Sequence, residues 1–184
     1  MTPAQFQAQL TRGDPAPAYL FLGSEAYQRG ICRRALFEKT LGADEGGSGL
    51  TRHDLDEVTL AEAIDDARSL SLFAAKRLIW VGSAEAALPQ GRAAAKDDDS
   101  GAALIADYLR NPTPGVVLVF EASGNELAGE GRKKAERVEK FFAAVPDKVE
   151  FPPYSQREAE ALARRLAEDA GLRLAASTLS LLVG

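Results

Sequence analysis

Soft metal ligands are nearly missing from this chain: its 184 residues include one cysteine, Cys32, and one histidine, His53. An internal disulfide is therefore excluded, and a zinc site of the usual ligand types cannot be assembled, so no metal and no cofactor is expected. The single thiol suits a reducing cytoplasm. Long apolar runs are missing as well. None approaches the roughly 20 residues that span a bilayer, so no membrane partner is expected. The opening M-T-P-A-Q-F-Q-A-Q-L has no basic stretch followed by an apolar one, and no secretory signal is expected from it. Positive charge is in short supply: 22 Lys+Arg against 27 Asp+Glu give a net charge of −5. That is the wrong sign for a protein that binds nucleic acid unaided. What is present is ordinary for a globular chain, with 46% hydrophobic and 27% charged residues. The length suffices for one full domain, or for one domain and the start of another.

The pattern along the chain alternates strand and helix. Pro3 to Leu10 is a short helix candidate with Phe6 and Leu10 on one face, ended by Gly13-Asp14-Pro15. Ala18 to Leu22 is a compact apolar run stopping at Gly23, the first central strand. Ser24 is the expected cap of the next helix, with Tyr27, Ile31 and Ala35 as its buried stripe and Arg33 and Arg34 outward. Leu41-Gly42 closes it, and a Gly-rich loop follows to Gly49. Leu50 to Asp54 is a weaker strand candidate. Thr59 caps a helix with Leu60, Ala63, Ile64 and Ala67 on one face and Glu62, Asp65 and Asp66 on the other. Gly82 to Gly101, with its acidic run Asp97 to Asp99, reads as an exposed connection. A helix over 103–109 stops at Asn111-Pro112. Val116 to Phe120 is strongly β-prone, and Glu121 to Gly131 reads as loop. A basic helix over 133–144 turns Val138, Phe141 and Phe142 inward, and Lys148 to Phe151 is a last strand before Pro152-Pro153. This alternation predicts a parallel α/β sheet with helices on both faces. Beyond the prolines the character changes. Ser155 caps a helix carrying Ala159, Leu162, Ala163 and Leu166, Gly171 ends it, and Ala176 to Leu182 begins another. Two helices cannot bury their apolar faces alone, so the front part of a longer helical domain is expected.

One stretch departs from this regularity. From Arg68 to Val81 the chain reads R-S-L-S-L-F-A-A-K-R-L-I-W-V. It leaves a helix, crosses an apolar tip at Leu70, Leu72 and Phe73, passes Ala74 and Ala75, and turns on Lys76 and Arg77. Leu78 to Val81 then reads as a strand buried on both faces. Connections of this kind are normally polar. Leu72 and Phe73 fill either the domain's own core or a pocket on another molecule.

Catalytic signals are weak. A strand ending in Gly before a capped helix is where a nucleotide-binding α/β protein places its phosphate loop. Here that loop is G-S-E-A-Y-Q-R-G, from Gly23 through Ser24 and Glu25 to Gly30. The Walker lysine and the Ser or Thr that hold phosphate and Mg²⁺ are absent, and Glu25 places negative charge where phosphates would lie. Glu121 after the Val116–Phe120 strand is a lone carboxylate. Ser24 is better read as a cap, Cys32 as a small helix residue and His53 as a half-exposed strand residue. Asp65, Asp66 and Asp97 to Asp99 read as solvated. Lys133, Lys134, Arg137 and Lys140 stripe one helix, most simply as its wet face. An ATPase or kinase with an unusual phosphate loop remains an alternative.

Taken in order, several motifs resemble one family. These are F-x-x-x-L with G-D-P-A-P-A-Y-L-F-L-G-S-E, the strand T-R-H-D and its helix, S-L-F-A-A-K-R-L-I-W-V, Y-L-R-N-P-T-P-G-V-V-L-V-F, and V-E-F-P-P-Y followed by a helix ending A-G-L-R-L. Together they span nearly the whole chain and resemble the delta subunit of bacterial DNA polymerase III, the clamp-loader component that opens the sliding clamp. The resemblance implies an AAA+-like (P-loop NTPase-like) domain over 1–153 without a working phosphate loop, then the start of a helical lid over 154–184. It implies that the family's third, collar domain is not within these residues. It places the clamp-binding pair at Leu72 and Phe73, framed by Leu70, Ala74 and Ala75, and makes Gly23, Ser24 and Glu25 the degenerate phosphate loop. No intrinsic catalysis is implied, although the holoenzyme is a nucleotidyltransferase. The implied partners are the sliding clamp (beta subunit), the delta-prime and gamma/tau subunits, and primer–template DNA within the complex. A scaffold contacting another loader subunit, such as delta-prime, is the other reading.

Overall fold

The computed structural model describes residues 1–42, 49–69, 74–89, 100–124, 129–175, 178–179 and 181, without the side chains of 129 and 130. Among them no helix is long and apolar enough to cross a membrane. The elements run α1 (Pro3–Arg12), β1 (Ala18–Leu22), α2 (Ala26–Leu41), β2 (Leu50–Asp54), α3 (Leu60–Arg68), β3 (Arg77–Gly82), a short 3₁₀ turn (Ala84–Ala87), α4 (Ser100–Arg110), β4 (Val116–Ala122), α5 (Gly129–Phe141), β5 (Asp147–Glu150) and α6 (Gln156–Asp169).

The strands form one five-stranded sheet in the order β2-β3-β4-β1-β5. All its pairings are parallel. β1, β3 and β4 lie inside the sheet and are buried along almost their whole length, as continuous apolar strands must be when both faces are covered. β2 is an edge strand and alternates between half-buried and exposed residues. On one face Phe6 and Leu10 of α1 and Cys32, Leu36 and Phe37 of α2 pack on Tyr19, Phe21, Leu78, Trp80 and Val119. On the other face α3, α4, α5 and the turn after it supply Ile64, Ile105, Tyr108, Val138, Phe141 and Phe142 against Leu20, Ile79, Leu118 and Phe120. Phe21 anchors the first layer, with its ring 5.3 Å from Phe6, 5.4 Å from Trp80 and 5.0 Å from Phe151.

Several sequence expectations change. The buried stripe of α2 is Cys32, Leu36, Phe37 and Thr40. Tyr27 and Ile31 are 38% and 37% exposed. The adjacent pair Leu36 and Phe37 carries the largest apolar surface in the helix, and seating both rotates the helix by one position, about 100°. Arg33 is not simply outward: its guanidinium lies 5.1 Å from the Trp80 ring and 5.5 Å from Phe37. Gly82 belongs to β3 and Ala84 is fully buried, so the segment after β3 begins inside the core rather than as an exposed connection. Glu121 and Ala122 continue β4, and α5 starts at Gly129, before the expected Lys133. The loop of 43–48, the acidic run Asp97 to Asp99 and most of the last expected helix lie outside the described residues.

Internal contacts divide the chain into Met1–Pro152 and Pro153–Gly184. In the second unit Ser155 and Glu158 form a reciprocal capping box that starts α6, as the S-x-x-E pattern requires. Ala167 of α6 is buried, while Leu166 stays half exposed.

Candidate functional site

A sheet of this order has its switch point between β1 and β4, and ligands of such sheets bind outside the carboxyl ends of the strands there. At that edge Gly23 takes φ +120°, a left-handed conformation that favours glycine and turns the chain from β1 toward α2. The helix cap is Glu25, not Ser24. Its two carboxylate oxygens accept from the backbone N–H groups of Tyr27 at 2.9 Å and Gln28 at 2.6 Å. Serine there would reach one amide, whereas the longer, charged side chain reaches two and also meets the positive end of the helix. These are the amides that would face a phosphate. The chain's own carboxylate occupies them.

An ion pair closes the same crevice. Arg29, one turn into α2, donates to the Gly23 carbonyl at 2.9 Å. Its Nε lies 3.1 Å from Glu121 Oε1. The other oxygen of Glu121 accepts from the Trp80 indole N–H at 2.8 Å. Glu121, the lone carboxylate of the sequence, is thus satisfied from both sides. Neither Arg29 nor Trp80 was singled out from sequence, although Arg29 stands six residues after Gly23, within reach of the strand ends.

The segments on either side of the expected apolar tip, the end of α3 and the start of β3, lie at the opposite end of the strands. Leu70, Leu72 and Phe73 lie outside the described residues, but both stems of the tip are in place. α3 is capped by Ser69, whose N–H donates to the Asp65 and Asp66 carbonyls at 3.1 Å. On the other side Ala74 is half buried and Ala75 exposed before β3. Arg77 is not an exposed turn residue; it is 8% exposed and starts β3. Its guanidinium donates to the carbonyls of Asp66 at 2.8 Å and Ser69 at 3.1 Å, and to the Asp66 carboxylate at 2.5 Å. Asp66, expected as a solvated carboxylate, also holds His53 at 3.0 Å. Burial pushes the Asp66 carboxyl upward, but the hydrogen bonds and charges of His53 and Arg77 outweigh it and hold the group below the usual carboxylate range. On the downstream stem Gly115, at φ +77°, lies so close that a Cβ would sit 2.6 Å from the Ala75 carbonyl oxygen. Its own carbonyl accepts from the Arg77 N–H at 2.8 Å. Sequence alone marked Arg77 as a turn because a charge beside an apolar strand reads as surface. Its acceptors are backbone carbonyls eight and eleven residues upstream, which no local pattern reveals.

Against known proteins, the family model described as DNA polymerase III, delta subunit, matches residues 19–146, well over half of the chain. The chain belongs to that family. The matched span contains both the Glu25-capped loop and the tip. Among solved structures, the Bacillus subtilis DNA clamp loader delta protein (YqeN) is similar with a TM-score of 0.60 and 19% identity, over 98% of this chain and 51% of that one. Domain III of the Thermotoga maritima replication initiation protein DnaA aligns with a TM-score of 0.52 and 8% identity, over 98% of this chain and 73% of that one. A Thermotoga maritima RuvB variant gives 0.51 and 13%, over 97% and 52%. This delta-family chain therefore spans about half the length of the Bacillus clamp loader protein. No curated protein matches its sequence. The fold is AAA+-like: a parallel five-stranded sheet between helical layers.

Proposed function

We propose that this chain is the clamp-gripping part of a clamp-loader delta subunit, a binding and remodelling module rather than an ATPase. Leu72 and Phe73 enter a hydrophobic pocket on the sliding clamp (beta subunit), with Leu70, Ala74 and Ala75 around them. The observation that carries the reading is membership of the delta family across the tip and the loop together. The Glu25 carboxylate on the helix amides supports the second half, because bound phosphate would have to displace it. Two such apolar side chains are worth roughly 3–6 kcal/mol on burial, before association costs. They hold a clamp open to the extent that the open form offers the better pocket, since a ligand shifts an equilibrium only by its differential affinity. Energy for cycling falls to ATP-binding partners, and delta-prime, gamma/tau and primer–template DNA are the further partners this reading implies. We read Tyr154 onward as the start of the lid, and place the protein in the cytoplasm with the replication machinery.

Calorimetric titration of the cognate clamp tests the proposal, with the wild type beside Leu72→Ala/Phe73→Ala. The expected outcome is saturable wild-type binding and at least a hundredfold loss in the double variant, with unchanged circular dichroism. A double variant that unfolds would make the pair core residues. A folded wild type that does not bind the clamp would limit the family likeness to fold.

A further inference from the structure

A third charged feature lies away from both ends of the strands. Between α2 and the edge strand β2 lies an open pocket of about 290 Å³ lined by Gly30, Arg33, Arg34, Phe37 and Arg52. Arg33 and Arg34 come from consecutive positions of α2 and Arg52 from β2. Among the described residues its lining holds no acidic side chain. Among the described residues none of the three arginines has a carboxylate in an ion pair; other surface arginines also lack one, but only these three converge on one pocket with one of them stacked on Trp80. The nearby Glu121 is already held by Arg29 and Trp80. Arg33 is half buried, its planar group resting on Phe37 and Trp80. Burial and the charges of Arg52 and Arg29 press it below its usual value, against the pull of Glu121.

Edge protection accounts for Arg52 alone, since charged side chains on an edge strand deter pairing with another chain. It does not account for Arg33. A guanidinium cannot shed its proton; the Trp80 and Phe37 rings offset part of the cost of holding it half buried beside two like charges, and an arriving anion would offset more. Three guanidinium groups present more donors than one carboxylate can accept, and they match the several oxygens of a phosphate, which arginine binds in a planar fork. Stacking on Trp80 fixes the orientation of that fork in advance.

We propose that the Arg33–Arg34–Arg52 pocket is a phosphate-binding site, taking either a backbone phosphate of a nucleic-acid strand or a free pyrophosphate-type anion. The net charge of −5 works against diffuse attraction of polyanions, so saturable binding at low ionic strength would report a local site. Trp80 is the only tryptophan and touches Arg33, which makes its emission a reporter within the site.

The experiment titrates pyrophosphate, a single-stranded oligonucleotide and poly-glutamate into the whole chain while following Trp80 emission. Arg34→Glu/Arg52→Glu is run alongside; both positions are exposed, and circular dichroism checks its fold. Saturable emission changes are expected with the phosphate probes, weakened by about tenfold or more in the double variant. Arg33→Lys, which keeps the charge but loses the fork, is expected to weaken them too. Tighter binding of the oligonucleotide identifies the strand backbone as the source, and tighter binding of pyrophosphate identifies the free anion. Absence of any saturable change, a change that survives Arg34→Glu/Arg52→Glu, or a response to poly-glutamate alone overturns the proposal. Clamp binding by the same variant is expected to be unchanged, so this inference fails or stands apart from the clamp reading.

Discussion

The two edges of the sheet use charge in opposite ways. At the carboxyl edge Glu25, Arg29 and Glu121 are turned inward on helix amides, on a strand-end carbonyl and on one another. The result is a crevice whose polar groups answer themselves. At the amino edge Arg77 reaches across to the last carbonyls of α3, and Gly115 allows backbone to lie against Ala75. The result is a clamped pair of stems flanking an apolar segment. A site for a small anionic ligand needs unmet donors; a surface that grips a partner needs a stiff mount, because ordering a loose one costs affinity. At the first edge the donors are met from within; under the proposed clamp contact, the second edge would supply the mount.

The largest effect is expected from breaking the mount. Arg77→Met keeps the aliphatic packing but leaves the Asp66 carboxylate with His53 and removes donors from two carbonyls. Removing one partner of a largely buried pair costs about 3 kcal/mol. Chemical denaturation should show that loss, and clamp affinity should fall although Leu72 and Phe73 are untouched. Unaltered clamp affinity would separate the tip from its stems. At the other edge Glu25→Ala removes a cap that serves two amides, worth about 1 kcal/mol. Emptying the crevice this way should not create an ATP site, because no lysine stands ready to neutralise phosphate. Equilibrium dialysis with Mg²⁺–ATP is expected to stay negative, and micromolar binding would show that Glu25 alone had closed the site.

β1, β3 and β4 were legible because interior parallel strands are continuous apolar runs, and such runs are hard to mistake. Their ends were less so: Glu121 reads as loop, yet it lies within β4 because Trp80 and Arg29 satisfy it there. Polar residues tied across strands break a pattern built on burial alone. The face of α2 was missed because Tyr27, Ile31 and Ala35 have acceptable helical spacing, and only the sheet beneath decides for Leu36 and Phe37. At the candidate site, the sequence showed that Glu25 opposes phosphate but credited Ser24 with the cap. Side-chain reach, not residue type, decided between them. Asp66 looked solvated since its partners, Arg77 and His53, are eleven and thirteen residues away along the chain.

The smallest effect should come from titrating that same carboxylate. Asp66 is held below the ordinary carboxylate pKa when folded, so it binds its proton more readily in the unfolded chain. Its contribution is therefore present in full above the unfolded value of about 3.9 and is lost as pH falls through the lower folded value. Other carboxyls shift the same way, Glu150 beside Lys148 among them, so acid stability of the wild type alone does not isolate it. The difference between wild type and Asp66→Asn does. That difference should shrink as pH falls below about 4. Solvent screening at the quarter-exposed Asp66 side chain keeps it smaller than the Arg77→Met effect. A difference that stays flat through the acid range would mean that Arg77 is held chiefly by the α3 carbonyls. The mount would then rest on backbone acceptors rather than on the ion pair.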